Sequence, residues 1–426
     1  MTSLLRANPG FRRLWISQTT SQLGDRITEL SLPLTAATTL EGTTSEVALL
    51  AALASAPNLF ALLLGVWVDR SPKRRLMIAT DLINAATLLT LPIAYALGSL
   101  TMTQLYALAV VTGTSSVAGG TATSAVFARL VPPEAYVEAN SLLSAGRSAT
   151  YVAGPAAGGA LVQALTAPVA VLVDALSFLV SASLIARIRM EEPPPAKGDR
   201  QLREGVRFVL GEPVLKYGLA CTTTVNFFTY LTGTGMIVLY ADRELQLAPG
   251  VIGTAFGVGA LGGLGGAFAA PVLARKFGSG RGVVIGSVLF PLPFALGAAA
   301  GGPPWGRAVI LSASLFLSFF GVMLFDVNLN SLQAAAVPDG MRARVAGAYS
   351  TVNYGVRPLG ALAGGALASA VGLRTTLIVA AVGGALSVLW LLPSPIPSAR
   401  EPHATPSRGG RRDTDDAVGL DTRPTP

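Results

Sequence analysis

The chain has 426 residues, 51% of them hydrophobic and only 13% charged, a balance that a water-soluble domain of this length rarely shows, so it reads as a polytopic membrane protein. The net charge of +8 does not point to nucleic acid as a partner, because the cations fall in short loops and tails rather than on one face. A single cysteine, Cys221, and a single histidine, His403, exclude an internal disulfide and a thiolate metal cluster, so no metal and no cofactor are expected and a proton relay in the membrane must use carboxylates.

Residues 1–13 form a short basic segment carrying Arg6, Arg12 and Arg13. The apolar stretch that follows is long, charged and without a small-residue cleavage site, so it is expected to stay as the first helix rather than be removed. That helix, Leu14 to Leu40, carries Gln18, Gln22, Asp25 and Glu29 at steps of four, three and four, which places them on one face, with Arg26 offset by one residue. An ionisable group near the bilayer centre costs on the order of 3 kcal/mol. The stripe must therefore face a wet cavity or pair internally, unless it lies near a helix end and snorkels. Asp25 is a dozen residues past Arg13, close to mid-span at about 1.5 Å per residue.

The second and third helices, Val47 to Val68 and Leu76 to Leu97, flank the charge cluster GVWVDRSPKRR at Gly65 to Arg75. Both runs clear the roughly 20 residues that a span needs. Arg70, Lys73, Arg74 and Arg75 hold the loop between them on the cytoplasmic side. With Gly65, Asp69, Arg70 and Arg74 in this spacing, the stretch resembles the signature loop between helices two and three of the major facilitator superfamily of secondary transporters. The resemblance implies a cytoplasmic latch between two halves, although Pro72 stands where the family usually has Gly and Trp67 where it has a small or aliphatic residue. Cations alone would equally make an orienting loop, but topology requires neither Gly65 nor Asp69. Asp81, six residues past Arg75, is expected to pair with the loop cations.

The fourth helix, Leu105 to Leu130, is rich in Gly, Ser and Thr, which let helices approach closely. After the turn VPPE, the fifth helix, Asn140 to Leu165, carries GPAAGG at Gly154 to Gly159. This resembles the fifth-helix motif of proton-coupled efflux members of the superfamily, in which Gly154, Pro155, Gly158 and Gly159 would permit tight packing and a bend; Thr150 replaces a further glycine of that pattern. Generic small-residue packing is the other reading. Arg147 is either a counter-ion to the first-helix carboxylates or a group near the interface. The sixth helix, Pro168 to Ile185, holds Asp174, assigned to packing or to the interface. Residues 188–214 read as a cytoplasmic linker whose second part is an amphipathic surface helix.

A shift of 206 residues aligns Gly154 with Gly360 and the GGAL at Gly158 with the GGAL at Gly364, and a shift of 205 lays Arg70 over Arg275 but Asp69 over Ala274. The chain is thus two parallel repeats, residues 14–187 and 215–392, with substrate expected near the midplane between them.

In the second repeat the seventh helix, Leu215 to Tyr240, puts Asn226, Tyr230 and Gly233 on one face. The eighth, Val251 to Leu273, has a glycine run that is no dinucleotide loop, since no strand precedes it. The ninth lies at Val283 to Ala300, and the tenth, Ala308 to Ala335, carries Asp326, Asn330 and Gln333 at helical spacing with Asn328 nearby. The eleventh, Val345 to Val371, has Arg357 well inside the span, and the twelfth follows from Thr376 to Leu392. Residues 393–426 read as a disordered tail.

The loop cations place both termini in the cytoplasm of a multi-pass protein of a bacterial cell membrane. Phe11 to Trp15, LGD at Leu23 to Asp25, the VPPE turn before Ala139 and Asn140, and RPLGALAGG at Arg357 to Gly365 resemble the branch that includes macrolide efflux pumps and the enterobactin exporter. That resemblance implies an all-α protein of twelve transmembrane helices in two pseudo-symmetric six-helix bundles around a central cavity, acting as a monomer. It implies proton-driven export of a drug, siderophore or secondary metabolite. No nucleophile or cofactor motif supports an enzyme; an importer or uniporter of the same fold and a non-transporting sensor are the alternatives.

Overall fold

The computed structural model describes residues 3–190, 201–338 and 341–399. The Asp69 side chain, the proline-rich start of the linker (191–200) and the expected tail from 400 onward lie outside the described residues.

A short helix α1 (Ser3–Ala7) leads into the first crossing, α2 (Pro9–Leu34). Asn8 caps it by accepting from the Phe11 N–H at 2.9 Å, and Pro9 fits the first turn, where no amide donor is needed. Near the other end Pro33 removes a donor, and the helix widens into a π turn over Thr35–Thr39. The second crossing opens on a reciprocal Thr43–Glu46 cap and runs through α3 (Thr44–Ser55), a 3₁₀ turn (Ala56–Phe60) at Pro57, and α4 (Ala61–Asp69). Then come α5 (Lys73–Ala96), α6 (Met102–Leu130), α7 (Tyr136–Ala164) and α8 (Ala167–Ala186). The helix α9 (Gln201–Gly211) follows and buries Val209 beside Leu215, Val337 and Val345, docking on the second half.

The seventh crossing is split into α10 (Pro213–Tyr230) and α11 (Gly233–Arg243). The eighth is α12 (Pro249–Phe277), the ninth α13 (Ser279–Leu289) plus α14 (Pro293–Ala298), and the tenth α15 (Pro304–Ala336). The eleventh breaks before Pro358 into α16 (Arg342–Gly355) and α17 (Arg357–Val371), and α18 (Leu373–Ala385) begins the twelfth. Among the described residues there are twelve crossings and no strand. Six of them are uniformly apolar enough to span a bilayer on their own. The other six are interrupted by breaks or diluted by polar residues, which a crossing tolerates when those residues face protein or a wet cavity.

Within the first half a polar seam joins α2 to α8 and α5. The Ser17 and Ser181 hydroxyls lie 2.8 Å apart, and the buried Asp174 accepts from Thr28 at 2.5 Å and from Ser177 at 3.1 Å. Asp81 does not turn back to the loop cations, as its sequence position suggested, but accepts from Ser181 at 2.6 Å. It sits on the face of α5 that packs against α8, where Ser181 is the nearer donor.

The two halves are tied at the end remote from the α4–α5 loop. A Cβ added to Gly159 of α7 would stand 2.8 Å from the Gly253 Cα of α12, so the two backbones touch. The Ser45 and Ser369 hydroxyls lie 2.9 Å apart, and Arg243 donates to the Gly42 carbonyl at 2.6 Å. If this seal depends on the glycine crossing, a Ser45→Cys/Ser369→Cys pair in a Cys221→Ser background will cross-link readily, and Gly253→Leu will lower the yield at least severalfold on a non-reducing gel.

Candidate functional site

Where the halves meet at mid-span, two arginines are each held against tyrosine rings. The Arg26 guanidinium of α2 lies 4.8 Å from the ring centre of Tyr151 on α7 and forms an ion pair with Glu29, one turn along, at 2.5 Å. Arg357, the first residue of α17, lies between Tyr230 of α10 at 4.7 Å and Tyr354 of α16 at 4.1 Å. Its Nε donates to Asn226 Oδ1 at 2.9 Å, and Asn226 Nδ2 donates to Asn353 Oδ1 at 2.8 Å. An aromatic face supplies a cation with about 0.5–1 kcal/mol when exposed and about 2 when desolvated. Such contacts offset part of the cost of a charge at this depth.

The two stacks are related by the internal repeat. A displacement of 204 residues lays Pro9, which opens α2, on Pro213, which opens α10, and lays Arg26 on Tyr230. The 206-residue shift of the fifth-helix motif lays Tyr151 on Arg357. The first and seventh crossings are thus stapled to the fifth and eleventh by the same kind of contact, with cation and ring exchanged. Tyr151 was not singled out from sequence; its signal was there, because the alignment that matched Gly154 to Gly360 also matches it to Arg357.

Two cavities border this centre. The smaller, ≈ 60 Å³, lies between the halves and is lined by Arg26, Glu29 and Tyr151 from the first and Thr234, Phe256 and Phe319 from the second. Thr234 also approaches Glu29 at 3.4 Å. The larger, ≈ 500 Å³, is lined among the described residues by the second half alone. It reaches from Asp326, Asn353 and Tyr354 at mid-span past Asn330, Gln333 and Tyr349 to Leu215, Val337 and Val345 at the loop end. Asp326, Asn330 and Gln333 thus do face one cavity, as their spacing suggested, whereas Asn328 is buried against Gly282 of α13.

The first-helix stripe divides. Glu29 joins the centre together with the offset Arg26, while Asp25 is exposed outside both linings, with Asp174, Arg26, Glu29 and Asp81 as its charged neighbours. Gln18 and Gln22 are half-buried and line neither cavity. Arg147 is exposed and forms no ion pair with the first-helix carboxylates among the described residues. Its neighbour Gly146 packs against Thr19 and Trp15 of α2.

The fifth-helix motif packs two ways. Gly154 and Gly158 lie against Arg26 and Ile27 of α2, Gly159 against α12, and Pro155 lines the small cavity. A side chain at Gly154 would collide with Arg26, so this glycine sets how closely the arginine approaches Tyr151. In the α4–α5 loop Arg74 donates to the Ile185 and Ala186 carbonyls, capping the end of α8 in its own half, and Lys73 donates to the Val68 carbonyl at 2.6 Å. Arg70 is exposed, and a Cβ on Gly65 would meet nothing within 4 Å. Gly233 stands at the break between α10 and α11 with φ +38°, so the break, not a shared helical face, fixes its place relative to Asn226 and Tyr230. Tyr151→Leu is expected to lower the stability of the purified protein by about 1–2 kcal/mol, while Tyr151→Phe, which keeps the ring, should leave its thermal unfolding almost unchanged.

The model of the Major Facilitator Superfamily matches residues 14–361. The multidrug efflux pump Tap of Mycolicibacterium fortuitum is 26% identical over 354 residues, covering 79% of this chain and 84% of that protein. A bacterial homologue of the iron transporter ferroportin in an inward-facing state superposes with a TM-score of 0.72 at 19% identity, over 92% of this chain and 99% of the other. Such a homologue in an outward-facing state gives 0.57 at 18% identity, over 90% and 98%. With a repeat fold, a central charged site and a family match over most of its length, this chain is a transporter rather than an enzyme and belongs to the Major Facilitator Superfamily.

Proposed function

We propose that the protein exports a small amphipathic organic compound, such as a drug, siderophore or secondary metabolite, by proton antiport and alternating access. The observation that carries this reading is the ≈ 500 Å³ cavity, which extends from Asp326 towards the loop end while the halves are tied together at the opposite end. The cations of the α4–α5 loop put that end in the cytoplasm of a bacterial cell, with both termini on the same side. The cavity would then collect its substrate from inside. The efflux pump of M. fortuitum, similar over four-fifths of this chain, supports export over import. The better superposition on an inward-facing than on an outward-facing homologue supports the same reading.

In this cycle the bundles 14–187 and 215–392 rock as a monomer about the centre. Asp25, Glu29 and Asp326 exchange protons taken from outside for substrate taken from inside. Each proton driven inward by 100 mV releases about 2.3 kcal/mol, and each unit of pH difference about 1.4 kcal/mol. Asp69, Arg70 and Arg74 of the loop act as the latch, which is open when Arg74 caps α8. Gln18, Gln22, Asn330 and Gln333 supply polar contacts to substrate as the cavity changes shape.

Inverted membrane vesicles test the coupling. With Asp25→Asn, Glu29→Gln and Asp326→Asn made singly, at least one variant should lose accumulation driven by a pH gradient while keeping downhill exchange; proton antiport through these groups is wrong if all three still concentrate substrate. Arg74→Gln should slow turnover severalfold and leave substrate affinity unchanged, as a latch requires; a change confined to affinity would place Arg74 elsewhere in the mechanism.

A further inference from the structure

We infer that Arg357 is a preset fork for a planar pair of oxygens, so that the substrates of this site include amphipathic organic acids. The inference rests on the export reading for its biological role but not for its geometry. Arg26 and Arg357 both sit on tyrosine rings at mid-span, and they differ in what balances them. Arg26 has Glu29 at 2.5 Å. Arg357 has no carboxylate within ion-pair distance among the described residues; Asp326, on the wall of the larger cavity, is a charged neighbour. Its neutral partners are the rings of Tyr230 and Tyr354 and the side-chain oxygen of Asn226.

Those three partners use up the guanidinium in a particular way. The rings of Tyr230 and Tyr354 both lie against it, and Asn226 takes the Nε hydrogen, while Asn226 is itself fixed by Asn353. The two terminal nitrogens donate to no acceptor among the described residues. A guanidinium held by rings and at Nε can offer its other edge as two parallel donors, the geometry that matches a carboxylate. Tyr354, which lies against it, and Asn353, which fixes Asn226, line the larger cavity; Arg357 itself is half-buried directly behind that inner end, so an acid reaching Tyr354 would come within range of the fork. Leu215, Leu329, Val337 and Val345 add apolar patches to a wall that also carries Asn330, Gln333, Tyr349 and Ser350, a mixture suited to the body of an amphipathic acid. Asn226 acts as a positioning residue, since it touches the arginine and not the cavity.

The test is equilibrium binding to the purified full-length protein in nanodiscs, using fusidate, nalidixate and salicylate, each against its neutral methyl ester. At least one acid should bind tenfold or more tightly than its ester. Arg357→Lys, which keeps the charge and loses the fork, should cut that ratio to below threefold with little change in thermal unfolding, and Asn226→Ala should cut it partway. Equal binding of acid and ester in all three pairs overturns the inference, as does an undiminished ratio in Arg357→Lys. Acid-selective binding without pumping by inverted vesicles would retain the fork and sink the export reading; pumping of neutral or cationic compounds with no acid preference in binding would do the reverse.

Discussion

A charge at the centre of a bilayer must be compensated by the protein itself, because water and counter-ions are absent. This protein places two guanidinium groups there and compensates both with tyrosine rings, at 4.8 Å for Arg26 and at 4.7 and 4.1 Å for Arg357. The rings come from other helices, or from across a helix break. Each stack therefore does more than shelter a charge, because it fixes the first crossing to the fifth and the seventh to the eleventh.

The surroundings of that centre follow from it. Close approach of α2 and α7 needs Gly154 beside Arg26, and the next turns of α7 carry Gly158 against α2 and Gly159 against Gly253 of the other half. One glycine-rich stretch thus serves packing within a half and closure between halves. Small residues suit both tasks, since helices in lipid gain their contact energy from close packing rather than from exclusion of water. On the loop side the second half's wall of α10, α15 and α16 borders the larger cavity.

The repeats are symmetric in architecture and unlike in charge. The first half carries Arg26 paired to Glu29, together with a seam of buried carboxylates and hydroxyls at Asp174, Thr28, Ser177, Asp81 and Ser181. The second half carries Arg357, which has no carboxylate mate among the described residues, and a broad cavity with Asp326 on its wall. Division of labour is the natural reading, with titratable groups concentrated in one bundle and the wider contact surface in the other.

The sequence by itself determined the number of crossings, the repeat, and the face carrying Asp326, Asn330 and Gln333, because hydropathy and helical periodicity are local properties of the chain. It also placed Arg26, Glu29, Tyr230 and Arg357 within spans, where a polar residue needs a reason. Only the tertiary structure decided which of these residues meet. Asp25 and Glu29 share a helical face yet have different surroundings, Arg147, left open between counter-ion and interface group, forms no ion pair with the first-helix carboxylates among the described residues, Asp81 prefers Ser181 to the nearby loop cations, and Tyr151 completes a site that periodicity never flagged. A helix fixes the angle between its own side chains, but what lies opposite depends on the rotation and crossing of its neighbours, and a shift of one residue, about 100°, is enough to change the partner.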